Sequence, residues 1–90
     1  MPAFNSSGLL RMKGKSFSAE EFERVIARLS KNGFVNVNGS INILTNYDGY
    51  KAYLQIEEFE DLNGHKVTLE FIKEMVNGHV LYHIKDVEVD

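Results

Sequence analysis

From residue 34 to its end, the chain alternates apolar and polar residues, and short Asp-Gly and Asn-Gly segments interrupt the alternation. A period of two residues is typical of half-buried strands, and Asp-Gly or Asn-Gly between such runs is typical of tight hairpin turns. We predict strands over residues 34–44, 50–59, 65–76 and 79–89. A chain patterned in this way has to fold around an antiparallel sheet.

One helix is predicted upstream of these strands, from about Ala19 to Asn32. Ser18 and Glu21 have the spacing of a capping box, and Gly33 suits the left-handed residue that ends many helices. One apolar stripe follows from the spacing of four residues: Phe22, Val25, Ile26 and Leu29.

The chain is predicted to consist of a short N-terminal segment and one domain. Residues 1–8 are small and polar and are predicted to be flexible, while residues 9–90 form a single domain. Leu10 and Met12 alternate with three cations, which favours a first strand over residues 9–15. The cations form a predicted basic edge: Arg11, Lys13 and Lys15.

Strand pairing leaves one point open. Asn38-Gly39 has the sequence of a hairpin turn, yet a two-residue turn there would set apolar against polar residues at every rung, so one long strand bent at Gly39 is favoured over a three-residue loop. A four-residue loop at 61–64 places Tyr53 opposite Ile72, and a bulge is predicted near Lys85 and Asp86.

The predicted fold class is α+β, in the order β-α-β-β-β-β, with one helix packed on a curved four- to five-stranded antiparallel sheet. This order resembles the topology of cystatin-like folds, including that of monellin. The resemblance stops at the Gln-x-Val-x-Gly loop of inhibitory cystatins, because the first hairpin here reads Asn46-Tyr47-Asp48-Gly49. It therefore implies a topology and no function.

Charge is unevenly distributed along the chain. Residues 34–90 hold ten of the thirteen acidic residues, whereas residues 1–33 hold six of the ten Lys and Arg residues. An acidic run lies at the end of the predicted strand 50–59. It forms a candidate docking surface for a basic partner: Glu57, Glu58, Glu60 and Asp61. The same run could instead be a solvated strand end that discourages aggregation.

The sheet face turned away from the helix, which we call the second face, is the most informative predicted surface. It should be polar if exposed to water, but it carries apolar residues and therefore favours association with another protein surface. The predicted interface comprises Tyr53, Phe59, Ile72, Leu81, His83 and Val87.

No catalytic, cofactor or metal site is predicted. The three histidines do not converge with carboxylates at ligand spacing, and no Ser, Thr or Lys has a recognisable base beside it in the sequence. The chain has no cysteine and no run apolar enough for a signal peptide or a membrane span, so a cytoplasmic location is expected.

The leading hypothesis is a non-enzymatic protein-binding module that associates through its sheet, as a homodimer or with a protein partner. A small acidic inhibitor or nucleic-acid mimic from a mobile element is a variant of it. The alternative is a small-ligand or enzymatic pocket between helix and sheet, lined by Tyr47, Tyr50, Tyr53 or Tyr82. A weaker alternative is single-stranded nucleic-acid binding through sheet aromatics and the basic edge.

Overall fold

The computed structural model describes residues 6–90 and has an α+β fold with two helices and one five-stranded antiparallel sheet. The elements are α1 (Ser6–Leu10), β1 (Ser16–Ser18), α2 (Ala19–Lys31), β2 (Val35–Tyr47), β3 (Tyr50–Glu60), β4 (Lys66–Val76) and β5 (His79–Val89). The strand order across the sheet is β1-β5-β4-β3-β2. The long strands therefore follow one another as hairpins, and β2 forms one edge.

The predicted helix is confirmed, together with its cap. The Ser18 hydroxyl accepts from the Glu21 backbone N–H at 3.2 Å, and the Glu21 carboxylate accepts from the Ser18 backbone N–H at 3.0 Å. Asn32 is the C-cap, and Gly33 follows with a φ of +87°. The helix begins and ends where its sequence signals place it.

The predicted strand over residues 9–15 is wrong. Residues Ser6–Leu10 form a helix, and a turn follows in which the Met12 N–H donates to the Leu9 carbonyl at 3.0 Å. Leu9 and Met12 are both buried in the core, whereas Leu10 is 49% exposed. The three-residue spacing of Leu9 and Met12 suits a helical turn that buries both side chains. The alternation of Leu10 with cations does not correspond to a strand here. Residues 1–5 of the segment predicted to be flexible lie outside the described residues.

The prediction that β2 is one long strand is confirmed. Its pairing with β3 shifts between Asn36 and Asn38 and again between Asn38 and Ile41, so the extra residues of the Asn38-Gly39 region are absorbed as irregularities within the strand. From Ile41 to Tyr47 the pairing is regular.

The register between β3 and β4 differs from the predicted one by a single residue. Glu60 pairs with Lys66 and Leu54 pairs with Ile72, which leaves a loop of residues 61–65. Side chains alternate between the two faces, so this slip moves every β3 side chain to the opposite face. Phe59, predicted on the second face, instead pairs with Val67 and lies in the core, 4% exposed.

The bulge predicted near Lys85 is confirmed, and it corrects a second assignment. Phe71 pairs with Ile84 and Glu70 with Asp86, so Lys85 has no partner across the strand. The extra residue returns Val87 to the face covered by the helix, where it pairs with Leu69 and is 5% exposed.

The core lies between the sheet and the two helices. Its members come from α1 and the turn after it, from α2 and the residue after Gly33, and from β3, β4 and β5: Leu9, Met12, Phe22, Leu29, Phe34, Phe59, Val67, Leu69, Phe71, Ile84 and Val87. The rings of Phe22 and Tyr82 stack at 4.2 Å, which joins α2 to β5. In the part of the chain that the structure describes, the outer ends of β2 and β3 receive no such cover.

Candidate binding edge and cleft

The edge strand β2 is the most unusual surface of the protein. None of its 13 residues, Val35–Tyr47, is charged, although 26% of the chain is charged. Five of its apolar side chains are exposed by 41–62%: Val35, Val37, Ile41, Ile43 and Leu44. Natural edge strands usually carry charges, prolines or covering elements that prevent pairing with other chains. Apart from its two irregularities, β2 has none of these protections within residues 6–90.

The backbone of β2 offers a regular set of free hydrogen-bonding groups. Asp48 and Gly49 both have positive φ, at 49° and 81°, so the tip is a two-residue turn closed by Tyr47 and Tyr50. A closing pair exchanges backbone hydrogen bonds, and the bonded positions then alternate along the strand. The N–H and C=O groups of Asn42, Leu44 and Asn46 consequently point to the open edge.

Beyond the Leu54–Ile72 pair, the sheet divides into two ribbons. Residues 44–53 continue the β2–β3 hairpin, and residues 73–82 continue the β4–β5 hairpin. An open cleft of about 720 Å³ lies between them, and its walls include Tyr47, Tyr50, Tyr53, Ile72 and Glu74. Three of the four tyrosines named for the predicted pocket line this cleft, but no helix residue does, so it is not the pocket predicted between helix and sheet. Tyr82 packs instead with Phe22 and Phe71 on the helix side of the sheet.

The tip of the β2–β3 ribbon folds over the second face. The Tyr47 ring stacks on His83 of β5 with centroids 5.1 Å apart, and the Lys85 ammonium lies 5.2 Å from the Tyr47 ring centroid. Burial raises the pKa of Tyr47, as do the charges of Asp48 and Glu74. Ile72, directly opposite His83, is only 2% exposed.

His83 brings together residues that are distant in sequence. Its Nδ1 shares a hydrogen bond of 2.6 Å with the Ser16 hydroxyl, and its Nε2 lies 3.5 Å from Glu74 Oε1. Nε2 is buried without a hydrogen-bond partner among residues 6–90. The sequence places no base beside Ser16, and the fold supplies one from a distant strand. Sequence offered no signal for this pair, because β1 meets β5 only in the folded sheet.

The six predicted interface residues do not form one surface. Phe59 and Val87 belong to the core, and Ile72 is covered, so none of these three is available for association. Leu81 and His83 are half-buried, and Tyr53 is 60% exposed. Alternation places Tyr53 on the same side of β3 as Phe59, at the end of the strand that the helix does not reach.

The acidic docking residues also divide between faces. Glu58 and Glu60 lie on the second face, where Glu58 accepts from the Asn38 amide at 2.5 Å and Glu60 pairs with Lys66 at 3.4 Å. Glu57 points to the other face and accepts from the Ser40 hydroxyl at 2.9 Å. The four carboxylates therefore do not present a single patch.

Asp61 organises the β3–β4 loop. Its carboxylate accepts from the backbone N–H groups of Asn63 at 3.0 Å and His65 at 2.8 Å, and it contacts the His65 ring at 3.0 Å. Burial works to raise the pKa of Asp61, but the hydrogen bonds from His65 and Asn63 outweigh it and hold the pKa below its ordinary value.

A carboxyl pair lies on the second face at the β4–β5 bulge. Burial, a hydrogen bond with Asp86 and the negative charges of Asp86 and Glu88 raise the pKa of Glu70. A hydrogen bond from Lys13, whose ammonium lies 3.2 Å from the carboxylate, leads the causes that lower the pKa of Asp86. Lys13 is thus engaged with the sheet, and the basic edge does not lie along a strand.

Similarity to known proteins gives no further assignment. No family model matches the chain, and neither the curated proteins nor the solved structures include a significant match. Within residues 6–90, no cluster of three or more His, Cys, Asp or Glu side chains could hold a metal ion, and neither helix is long and apolar enough to cross a membrane.

Proposed function

We propose that this protein is a non-enzymatic binding module that associates with another protein strand through the open edge of β2. The observation that carries the proposal is the combination of an uncharged edge of 13 residues with exposed apolar side chains. Strand addition to such an edge provides affinity through backbone hydrogen bonds and specificity through alternate side chains. We therefore propose that the association predicted through the sheet uses the backbone edge of β2, and that the second face contributes less to binding.

The test uses the free backbone N–H of Asn42. Asn42→Pro removes this outward donor without touching the bonds to β3, and proline is tolerated on an edge strand when its position faces solvent. Asn42→Thr is the matched control because it keeps the N–H. We expect proline to abolish capture of the partner by the immobilised protein and threonine to preserve it. Equal capture by both variants would contradict the proposal.

Acidic residues near the end of β3 give a reason for partner selection. Glu58 and Glu60 lie on β3 beside the irregular end of β2, and for a partner other than a second copy we propose that they steer its basic surface toward the edge. Changing both to Gln should then slow association with such a partner and flatten its dependence on salt. Association rates that do not respond to either change would remove this steering role.

A second candidate function rests on the Ser16–His83–Glu74 arrangement beside the cleft. A serine hydroxyl 2.6 Å from an imidazole has the contact that a base-activated nucleophile requires. This candidate expects turnover of an activated ester that is lost in both Ser16→Ala and His83→Gln. Turnover that persists in these variants, or is absent from the native protein, would exclude it.

A further inference from the structure

We infer that the partner of the β2 edge is a second copy of this chain, joined by antiparallel pairing of the two β2 strands about a two-fold axis at Leu44. This inference rests on the proposed function, because it names the occupant of the same edge. It identifies the association as an isologous dimer with one continuous sheet running through both copies.

Backbone geometry makes β2 self-complementary. The outward groups belong to even-numbered residues, so they can be satisfied only if even residues oppose even residues across the two-fold axis. The same condition sets odd residues against odd residues, and the odd side is the apolar side with Ile41 and Ile43. Hydrogen bonding and side-chain matching therefore require the same set of registers.

The regular part of β2 selects one register from this set. Pairing with β3 is free of shifts from Ile41 to Tyr47, and Leu44 is its middle residue. Centring the axis there uses all seven residues and about six backbone hydrogen bonds. The resulting pairs are Leu44 with Leu44, Ile43 with Thr45, Asn42 with Asn46, and Ile41 with Tyr47.

Charge favours a second copy over a charged peptide. In a two-fold pairing, a charged residue near the axis faces its own copy, and like charges directly opposite one another are destabilising. A neutral strand avoids this repulsion at every rung, and β2 is neutral throughout. A basic or acidic peptide would be selected by complementary charges along the edge, which β2 does not carry.

Other edges of the described sheet are less suited to self-pairing. The β5 edge is covered over residues 81–83 by β1, and Lys15 and Gly14 bond to Ile84. The Lys13–Asp86 ion pair lies farther along the same edge. The uncovered seven-residue segment of β2 is therefore the edge at which two copies can meet without removing existing contacts.

The first experiment measures mass by analytical ultracentrifugation over about 1–500 μM, the range suited to weak protein association. Leu44→Lys places two ammonium groups opposite one another on the axis, whereas Leu44 in the isolated chain is 57% exposed and should tolerate lysine. Leu62→Lys is the control, since Leu62 is fully exposed in the β3–β4 loop. We expect the native protein and Leu62→Lys to dimerise and Leu44→Lys to remain monomeric.

The second experiment tests the register directly. The chain has no cysteine, so Leu44→Cys introduces a single thiol at the proposed axis, where paired Cα atoms would be about 5.5 Å apart. A short bis-maleimide should link two Leu44→Cys chains efficiently. Leu62→Cys, which is more accessible but far from the axis, should yield little linked dimer.

The outcomes separate the two proposals. A native monomer that still captures a partner in a manner blocked by Asn42→Pro overturns the self-pairing inference and leaves the proposed function standing. A monomer whose capture of a partner is unchanged by Asn42→Pro overturns both proposals. A dimer that survives Leu44→Lys and Asn42→Pro overturns pairing through β2. Circular dichroism of each variant establishes that it is folded before its mass is interpreted.

Discussion

Tyr47 and His83 are stacked with their ring planes 24° apart, although β4 and β3 separate their strands in the sheet. In a flat sheet, two strands separated by two others would lie about 14 Å apart, too far for this contact. The β2–β3 ribbon therefore curls over the second face, and its tip covers part of the apolar surface that would otherwise meet water. The same curl leaves the edge of β2 open.

Removing this stack is expected to loosen the ribbon. Tyr47→Ala should lower the free energy of unfolding by the loss of an aromatic pair, about 0.5–1.5 kcal/mol, in addition to the lost burial. Amide exchange of the residues around Ile72 should accelerate. Tyr50→Ala is the control, because Tyr50 closes the same turn but is 72% exposed. Equal effects of the two variants would show that the stack does not hold the ribbon.

The capping box gives an expectation about stability. Ser18→Ala removes the acceptor for the Glu21 N–H and should lower the free energy of unfolding by about 0.5–2 kcal/mol. Ser30→Ala, an exposed position within the same helix, should change it by only a few tenths, measured by urea denaturation. An unchanged midpoint for Ser18→Ala would mean that the cap contributes little.

These two cases show what sequence could and could not provide. The capping box is local, so its spacing predicts the helix start without knowledge of the fold. The Tyr47–His83 and Ser16–His83 contacts depend on which strands are neighbours and on how the sheet curls. Neither property is encoded in the spacing of the residues concerned.

The error in β3 has a similarly specific cause. The apolar cross-strand pairs favoured a four-residue loop. In the structure, the Asp61 carboxylate accepts from the His65 N–H, and the Asp61 N–H donates to the His65 carbonyl. These two hydrogen bonds close a five-residue loop. The apolar pattern of the strands carries no information about the hydrogen bonds of a loop side chain. A single added residue then reversed the faces of the strand, including those of Phe59 and Leu54.

Ile72 is expected to behave as a core residue. Ile72→Ala should lower the free energy of unfolding by about 2–5 kcal/mol, and Ile72→Lys should prevent folding because it would bury an unpaired charge. Tyr53→Lys is the control, since its side chain is 60% exposed. Thermal unfolding compares the three. A stable, folded Ile72→Lys protein would show that the ribbon does not cover this position.

The Glu70–Asp86 pair predicts a pH-dependent effect. A raised carboxyl pKa in the folded state contributes stability that is present below the ordinary value, 4.5, and is lost as pH rises through the folded pKa. Glu70→Gln cannot ionise and keeps a hydrogen-bond donor for Asp86. The variant should therefore be more stable than the native protein at pH 7, and the difference should vanish near pH 4. A difference that is constant with pH would contradict the assignment.

The ionisation of Asp61 should change stability with pH in the opposite direction to that of Glu70. Its pKa is lowered in the folded state, so its contribution is present above the ordinary value of 3.8 and is lost as pH falls through the folded pKa. Asp61→Ala removes the acceptor of both loop N–H groups and should destabilise the protein at pH 7, with a smaller penalty in acid. Asp61→Asn retains an acceptor oxygen for the backbone and should be intermediate.

The His65 ring separates the side-chain contact from the backbone contacts. His65→Ala removes the ring but leaves both N–H groups bonded to Asp61, so it should cost less stability than Asp61→Ala at every pH. Urea denaturation between pH 3 and pH 8 would measure the full set, the range that spans carboxyl and imidazole titration. If His65→Ala proved as costly as Asp61→Ala, the ring contact, and not the backbone hydrogen bonds, would hold the five-residue loop and with it the register of β3.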